Sequence, residues 1–136
     1  MDEKTFQAYM AAFNAANYDG MFRYYADDVT FSFANGITLE GTEAIRGFYE
    51  PLHAAVDETV EPTFVVIGDR HIAVELNAQF RARKDFDGLP GRSLKAGQVT
   101  RFISFVHYDL DDDDRFSEIR IGNYRALPDL EAGASS

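Results

Sequence analysis

Histidine and cysteine, two residue types often used in acid–base, nucleophilic and metal chemistry, are scarce in this chain of 136 residues, which has three histidines and no cysteine. The lack of cysteine excludes thiol catalysis, disulfide bonds, iron–sulfur clusters and cysteine-ligated zinc. His71 lies beside a predicted hairpin turn and His107 on the outward face of a predicted strand, so both are expected to be exposed. His53 lies near the end of a predicted helix, from which an imidazole could act as an acid or base at the mouth of a cavity.

A histidine–carboxylate dyad at His53 would need an inward-facing carboxylate, and none is evident from the sequence, since Asp27, Asp28 and Asp57 lie at the ends of predicted elements. The acidic run 109–114 lacks the glycine and the glutamate that an EF-hand calcium loop needs. A solvated hairpin tip is therefore the better interpretation of this run. We expect no metal ion and no cofactor.

The composition indicates a single acidic globular domain. A net charge of −10 argues against nucleic acid and anionic membranes as partners, and a hydrophobic share of 46% is too high for a disordered chain. We expect one domain over residues 1–128 and a flexible tail over 129–136. The first residues lack the apolar run of a signal peptide, and no stretch is apolar enough to span a membrane, so a cytoplasmic location is expected.

Apolar residues recur at helical spacing in some stretches and at strand spacing in others. The helical stretches are 3–17, 19–28 and 42–51, and Pro51 is expected to end or kink the third. Asn35-Gly36 indicates a tight hairpin, and residues 83–97 are expected to form a long loop. These elements predict an α+β fold with helices packed on one face of a curved, mostly antiparallel sheet. The predicted strands are 29–34, 37–40, 63–67, 72–82, 98–108 and 116–127.

The predicted strand 98–108 is apolar on both of its faces. Thr100, Phe102 and Ser104 would face the helices, while Ile103 and Phe105 would face outward and need cover. A second copy of the chain, in a homodimer through the outer sheet face, is the simplest cover. A C-terminal segment folded over the strand is the alternative.

Three segments in order resemble the SnoaL-like branch of the NTF2-like superfamily. They are Tyr9–Met21, with its Asn-Tyr-Asp-Gly sequence, Tyr25–Phe31 and Gly41–Tyr49, with its Gly-Thr-Glu-Ala-Ile-Arg-Gly-Phe sequence. The resemblance implies a cone in which three helices pack on the concave face of the sheet and enclose one deep, mostly apolar pocket. This scaffold serves isomerases, cyclases, dehydratases, epoxide hydrolases and non-catalytic binding domains.

Within that superfamily the pattern is most similar to the ketosteroid isomerases. The resemblance places Tyr9 as the hydrogen-bond donor to an oxyanion, with Tyr25 and Tyr49 supporting it. It also places Phe33 where those enzymes have their carboxylate base, and Thr100 where they have a second, acidic donor. Steroid isomerisation by that mechanism is therefore not expected.

Two functions stay open, and whether the chain is an enzyme is not decided by its sequence. It could be an isomerase, cyclase or dehydratase acting on a hydrophobic carbonyl-bearing molecule, with Tyr9 as donor. It could instead be a non-catalytic ligand-binding or dimerisation module whose pocket is plugged by Phe33. An open cavity of roughly a few hundred Å³ that reaches Tyr9 would favour the first, and a plugged cone the second. The expected ligand-binding residues are Phe13, Phe33, Phe48, Leu76, Phe80, Thr100, Phe102 and Asn123.

Overall fold

The computed structural model describes residues 1–89 and 92–130, and its largest element is a curved, unclosed six-stranded sheet. The helices are α1 (Glu3–Asn14), α2 (Tyr18–Phe22) and α3 (Thr42–Ala55). The strands are β1 (Tyr25–Phe33), β2 (Thr38–Glu40), β3 (Val56–Ile67), β4 (His71–Ala82), β5 (Phe86–Leu89), β6 (Arg92–Leu94), β7 (Val99–Leu110) and β8 (Phe116–Leu130).

The strand order of the main sheet is β2-β1-β8-β7-β4-β3, and β5 and β6 form a separate hairpin. All neighbours in the main sheet are antiparallel except β1 and β8, which run parallel. The last strand therefore lies inside the sheet, between the first hairpin and the long β7–β4–β3 meander. The predicted α+β fold, with a mostly antiparallel sheet and three helices, is confirmed.

Helix α1 forms as its apolar spacing predicts. Phe6, Tyr9, Met10 and Phe13 are all buried on one face, and the side chain of Asp2 caps the helix by accepting from the Thr5 amide at 2.8 Å. The helix ends at Asn14, three residues earlier than expected.

Helix α3 does not end at Pro51. It continues to Ala55 and leads directly into β3, which begins seven residues before the predicted strand start at Thr63. Proline removes one N–H from the helical ladder, but Leu52 and Ala55 beyond it are 2% and 3% exposed, so their burial stabilises the added turn.

Three other boundaries differ from the sequence prediction. The predicted second helix stops at Phe22, and the chain is already a strand at Tyr25 because that side chain is fully buried against β8. The predicted loop 83–97 contains the β5–β6 hairpin, anchored by the buried Leu94. Strand β8 takes in residues 129 and 130 of the predicted tail, and residues 131–136 lie outside the described residues.

The predicted Asn35-Gly36 hairpin is confirmed. Gly36 has a φ of +93°, a conformation that favours glycine, and β1 pairs with β2 through Phe31 and Leu39. Among the helices in the described ranges, none has the length and apolar character needed to cross a membrane.

Candidate functional site

A cavity of about 300 Å³ lies between the helices and the concave face of the sheet. Helices α1 and α3 and strands β1, β3, β4, β7 and β8 contribute its walls, and Leu89 of the β5–β6 hairpin also lines it. The volume and the mostly apolar wall suit a small molecule. Of the predicted ligand-binding residues, all except Thr100 line the cavity: Phe13, Phe33, Phe48, Leu76, Phe80, Phe102 and Asn123.

Phe33 lies in the wall and leaves the cavity open. Its ring packs against Phe31 and Phe48, with centroid separations of 5.0 and 5.1 Å. These contacts hold the ring among its aromatic neighbours at the side of the space, so of the two alternatives left open by the sequence the structure has the open cavity.

Thr100 is buried but belongs to a different network. Its hydroxyl donates to Asp129 at 2.8 Å, and Asp129 also accepts from Gln98 at 2.8 Å and pairs with Arg92. Partial burial acts to raise the pKa of Asp129, but these partners outweigh it and hold the pKa below its ordinary value. Thr100 therefore ties β7 to the end of β8, because its hydroxyl is used by this carboxylate.

Two tyrosine hydroxyls meet at the inner end of the cavity. The hydroxyls of Tyr9 and Tyr25 are 2.8 Å apart, and the Tyr108 ring lies edge-on to Tyr9 with centroids 6.2 Å apart. Tyr9 and Tyr108 line the cavity, whereas Tyr25 lies behind Tyr9. Burial raises the pKa of all three phenols, so each stays protonated near neutral pH and can donate a hydrogen bond.

Tyr49 lines the cavity but is not part of this hydroxyl pair. Its ring packs edge-on against Phe13 and stacks on His53, with centroids 5.5 and 5.3 Å away. Its hydroxyl has no hydrogen-bond partner among residues 1–89 and 92–130. The hydroxyl oxygen keeps some accessible surface, so water or a ligand can reach it. In the described residues Tyr49 makes no hydrogen bond to Tyr9, so its supporting role stays a prediction, and Tyr108 is the other tyrosine that lies beside Tyr9. Burial raises the pKa of Tyr49, which leaves a neutral donor on the cavity wall.

Glu58 of β3 is the carboxylate partner of His53, and it was not recognised from the sequence. The two side chains are 8% and 9% exposed, and His53 Nε2 lies 2.9 Å from Glu58 Oε1. On its other side, His53 Nδ1 lies 2.7 Å from the hydroxyl of Tyr18, whose ring stacks on the imidazole. Only Glu58 of the three lines the cavity, so His53 lies behind the carboxylate.

The hydrogen bonds of His53 assign its tautomer. With Glu58 ionised, the carboxylate accepts from Nε2–H, and Nδ1 accepts from the Tyr18 hydroxyl. Burial raises the pKa of Tyr18, which keeps that phenol a donor. Burial also raises the pKa of Glu58, and the hydrogen bond and charge of His53 only partly oppose this effect. The arrangement holds a carboxyl group of altered acidity at a fixed position in an apolar wall.

A second polar pair lies at the other side of the cavity. Ser104 is 1% exposed, and its hydroxyl donates to Asn123 Oδ1 at 2.7 Å. Because the carbonyl oxygen of Asn123 is used as the acceptor, its amide N–H groups remain as donors near the exposed end of the cavity.

Ser104 lies on the inward face, as the strand alternation predicts, whereas Glu58 and Tyr108 were not recognised as cavity residues from the sequence. The signal for Glu58 was present, because Val56 and Val60 alternate with exposed residues and place Glu58 on the inward face. The late start assigned to the third strand hid that alternation.

The protein is therefore of the α+β cone class, with helices on the concave face of the sheet and a cavity between helices and sheet. The family model described as the SnoaL-like domain matches residues 6–119, and the chain belongs to that family. The resemblance stated from the sequence is confirmed. No curated protein sequence matches the chain significantly.

Solved structures with low sequence identity share the fold. A candidate polyketide cyclase from Xanthomonas campestris is 20% identical, with a TM-score of 0.73 over 85% of this chain and 84% of its own. An LEH-like epoxide hydrolase from M. tuberculosis is 12% identical, with a TM-score of 0.69 over 88% and 80%. SalBIII, an epoxide hydrolase/cyclase-like enzyme of pyran ring formation in the polyether salinomycin, is 18% identical, with a TM-score of 0.71 over 89% and 88%.

Proposed function

We propose that the chain is an acid–base enzyme of the isomerase, cyclase or dehydratase type, acting on a small apolar molecule that carries a carbonyl or similar oxygen. Glu58 moves the proton and Tyr9 donates a hydrogen bond to the substrate oxygen. The observation that carries the proposal is that Glu58 is the sole acidic side chain among the described residues lining a mostly apolar cavity.

Glu58 has the properties required of a proton carrier. A general acid or base works best when its pKa lies near the working pH, and burial moves the pKa of this carboxyl upward from 4.5 toward that range. As a carboxylate it can take a proton from a carbon next to a carbonyl, and as a carboxylic acid it can return that proton to another atom of the substrate.

His53 is a positioning residue in this scheme. It lies behind Glu58, and its Nε2 hydrogen bond of 2.9 Å leaves the second carboxyl oxygen for the substrate. Tyr18 fixes the opposite nitrogen of the ring at 2.7 Å, so the imidazole cannot turn without losing a partner.

Tyr9 is suited to stabilising negative charge on the substrate oxygen. Tyr25 does not line the cavity, so when its hydroxyl donates to Tyr9, the Tyr9 O–H is directed to the cavity side, where it can leave the neighbouring Tyr108 phenol and donate to a substrate oxygen. A phenol that accepts one hydrogen bond becomes a stronger donor of the next. Such preorganised donors in a dry site are an effective means of stabilising a developing enolate.

The structurally similar proteins support this class of reaction. The names of the solved structures include a candidate polyketide cyclase and an epoxide hydrolase/cyclase-like enzyme, and ring closure requires proton transfer to or from oxygen and carbon. The cavity of about 300 Å³ limits the substrate to a small, mostly apolar skeleton.

Deuterium exchange tests the proposed proton transfer without knowledge of the natural substrate. A panel of bicyclic and tricyclic ketones is incubated with the protein in D₂O, and exchange beside the carbonyl is followed by mass spectrometry. We expect exchange by the wild type and a loss of about 100-fold or more in Glu58→Gln. Equal exchange by both proteins would exclude Glu58 as the base. Tight ligand binding without any exchange would instead support the non-catalytic module.

The role of Tyr9 is tested with a naphthol, which mimics an enolate oxygen on a flat apolar body. We expect Tyr9→Phe to weaken binding about tenfold, because one hydrogen bond of about 1.4 kcal/mol is lost. Tyr124→Phe, which removes a hydroxyl from a tyrosine that is 57% exposed and does not line the cavity, is the control. Unchanged affinity of Tyr9→Phe in a fluorescence titration would contradict the assignment.

We also propose that the outer face of the sheet packs against a second copy of the chain. Phe64, Phe105 and Tyr124 are 65%, 47% and 57% exposed, and Phe105 stacks on Tyr124 with centroids 5.0 Å apart. Phe64, Val66 and Phe105 line a groove on that face, and the polar side chains at its border are Glu75, His107 and Arg120. Contiguous exposed apolar side chains are typical of protein–protein interfaces, and a twofold homodimer buries the same patch on both copies.

A further inference from the structure

Two histidines and an aspartate with no role in the proposed reaction come together on the outer face of the sheet. His71 opens β4, and its register partner on β7 is Asp109. His107 lies two residues before Asp109 and therefore projects from the same face. One potential ligand atom from each of the three side chains lies within 4.8 Å of the other two.

We propose that His71, His107 and Asp109 bind a divalent transition-metal ion of the zinc class. Two imidazole nitrogens and one carboxylate oxygen form a ligand set that suits Zn²⁺, with water in the remaining position. Bonds of about 2.0–2.2 Å require donor atoms about 3.4 Å apart. His71 Nδ1 and Asp109 Oδ1 are 2.8 Å apart and the three ligand atoms lie within 4.8 Å of one another, so movements of about 1 Å would bring all three to that spacing.

Arg120 shows that His107 presents a lone pair toward this cluster. Its Nη2 lies 2.8 Å from His107 Nδ1, and a guanidinium can only donate, so that imidazole nitrogen is the acceptor. Arg120 also donates to both carboxylate oxygens of Asp109, and each of these hydrogen bonds is 3.1 Å long. The Arg120 guanidinium therefore contacts two of the three proposed ligands, and a metal ion would have to displace it from Asp109 and His107.

Arg120 keeps a second acidic partner, Glu118, if a metal ion displaces it from Asp109 and His107. Its Nη1 lies 2.9 Å from Glu118 Oε2, so the guanidinium keeps an ion pair when the metal takes Asp109 and His107. The net charge of −10 favours the approach of a cation. No metal ion was expected from the sequence, in which His71 and Asp109 lie 38 residues apart, but the pairing of β4 with β7 brings them together.

Zinc titration of the untagged, chelator-treated protein tests the site. Calorimetry measures the affinity and stoichiometry, and NMR follows the imidazole signals of the three histidines, of which His53 is the internal reference. We expect one ion per chain and shifts of the His71 and His107 signals while those of His53 stay in place. His71→Ala and His107→Ala should each weaken binding at least about tenfold, and Arg120→Met should tighten it.

Asp112→Asn is the matched control, since Asp112 lies in the neighbouring acidic hairpin with its side chain 90% exposed. Its zinc affinity should equal that of the wild type. Circular dichroism melts confirm that each variant is folded. The proposal is overturned by no binding at 1 mM zinc, by equal affinity of His107→Ala and wild type, or by a loss in Asp112→Asn as large as that in His107→Ala.

Discussion

Replacing Glu58 with glutamine should stabilise the folded protein at neutral pH while removing the proposed proton carrier. The Glu58 side chain is 8% exposed, and burial raises its pKa because a carboxylate loses its hydration in the cavity wall. Glutamine has nearly the same shape and keeps an oxygen that accepts the His53 hydrogen bond, so the substitution removes mainly the charge.

The sign and size of the effect follow from proton linkage. A carboxyl group whose pKa is higher in the folded than in the unfolded chain binds more protons when folded. Its contribution to the free energy of unfolding is fully present below the unfolded pKa, near 4.5, and is lost as the pH rises through the folded pKa. Within that window the wild type loses about 1.4 kcal/mol per pH unit relative to Glu58→Gln. For a domain of this length, 1 kcal/mol corresponds to about 4 °C in melting temperature.

Urea denaturation of both proteins from pH 4 to pH 8 measures the difference. Glu50→Gln is the matched control, because Glu50 is 52% exposed and pairs with Arg46 at 3.2 Å on the surface, where a pair contributes less than about 1 kcal/mol. The stabilities of wild type and Glu58→Gln should agree near pH 4 and diverge above it. A constant difference across the range, or a variant that is less stable at pH 8, would refute the argument from burial.

Two further predictions concern residues outside the acid–base pair. Thr100→Val should lower the free energy of unfolding by about 1–3 kcal/mol, because Asp129 loses a partly buried donor, while the affinity for a naphthol stays unchanged. Weaker naphthol binding by Thr100→Val would show that Thr100 contacts the ligand and would contradict its assignment to the Asp129 network. Phe105→Glu should convert the proposed homodimer to a monomer in analytical ultracentrifugation, because a charge is placed in the apolar outer face, while Ile37→Glu, at a 43% exposed site on the β1–β2 hairpin, should not. A monomeric wild type would exclude the homodimer.

Local signals in the sequence predicted the elements whose boundaries depend on nearby residues. The apolar face of α1 and the Asn35-Gly36 turn needed no distant contact to be recognised. The passage of α3 through Pro51 could not be predicted in this way, because it depends on burial of the following turn by the rest of the chain. That error moved the start of β3 and removed Glu58 from consideration.

For the candidate site, too, the sequence does not determine contacts between residues that are far apart in the chain. Tyr9 was identified only through the family resemblance, and its pairing with Tyr25 needs a helix and a strand to meet in space. The choice between Tyr49 and Tyr108 as its neighbour depends on the rotation of two aromatic rings in a packed core, which residue type and spacing do not determine.

The position of β8 inside the sheet has a consequence for the biosynthesis of this protein. A ribosome produces β1 and β2 early, but the strand that joins them to β7 is made last. At about 5–20 residues per second, the chain between Phe33 and Phe116 takes on the order of 5–15 s to make. During that interval Val29 and Phe31 lack the Ile119 side of their core. Until its final strand leaves the exit tunnel, the nascent chain therefore exposes apolar surface of the kind that chaperones bind, and we expect a product cut short before β8 to be degraded rather than accumulate.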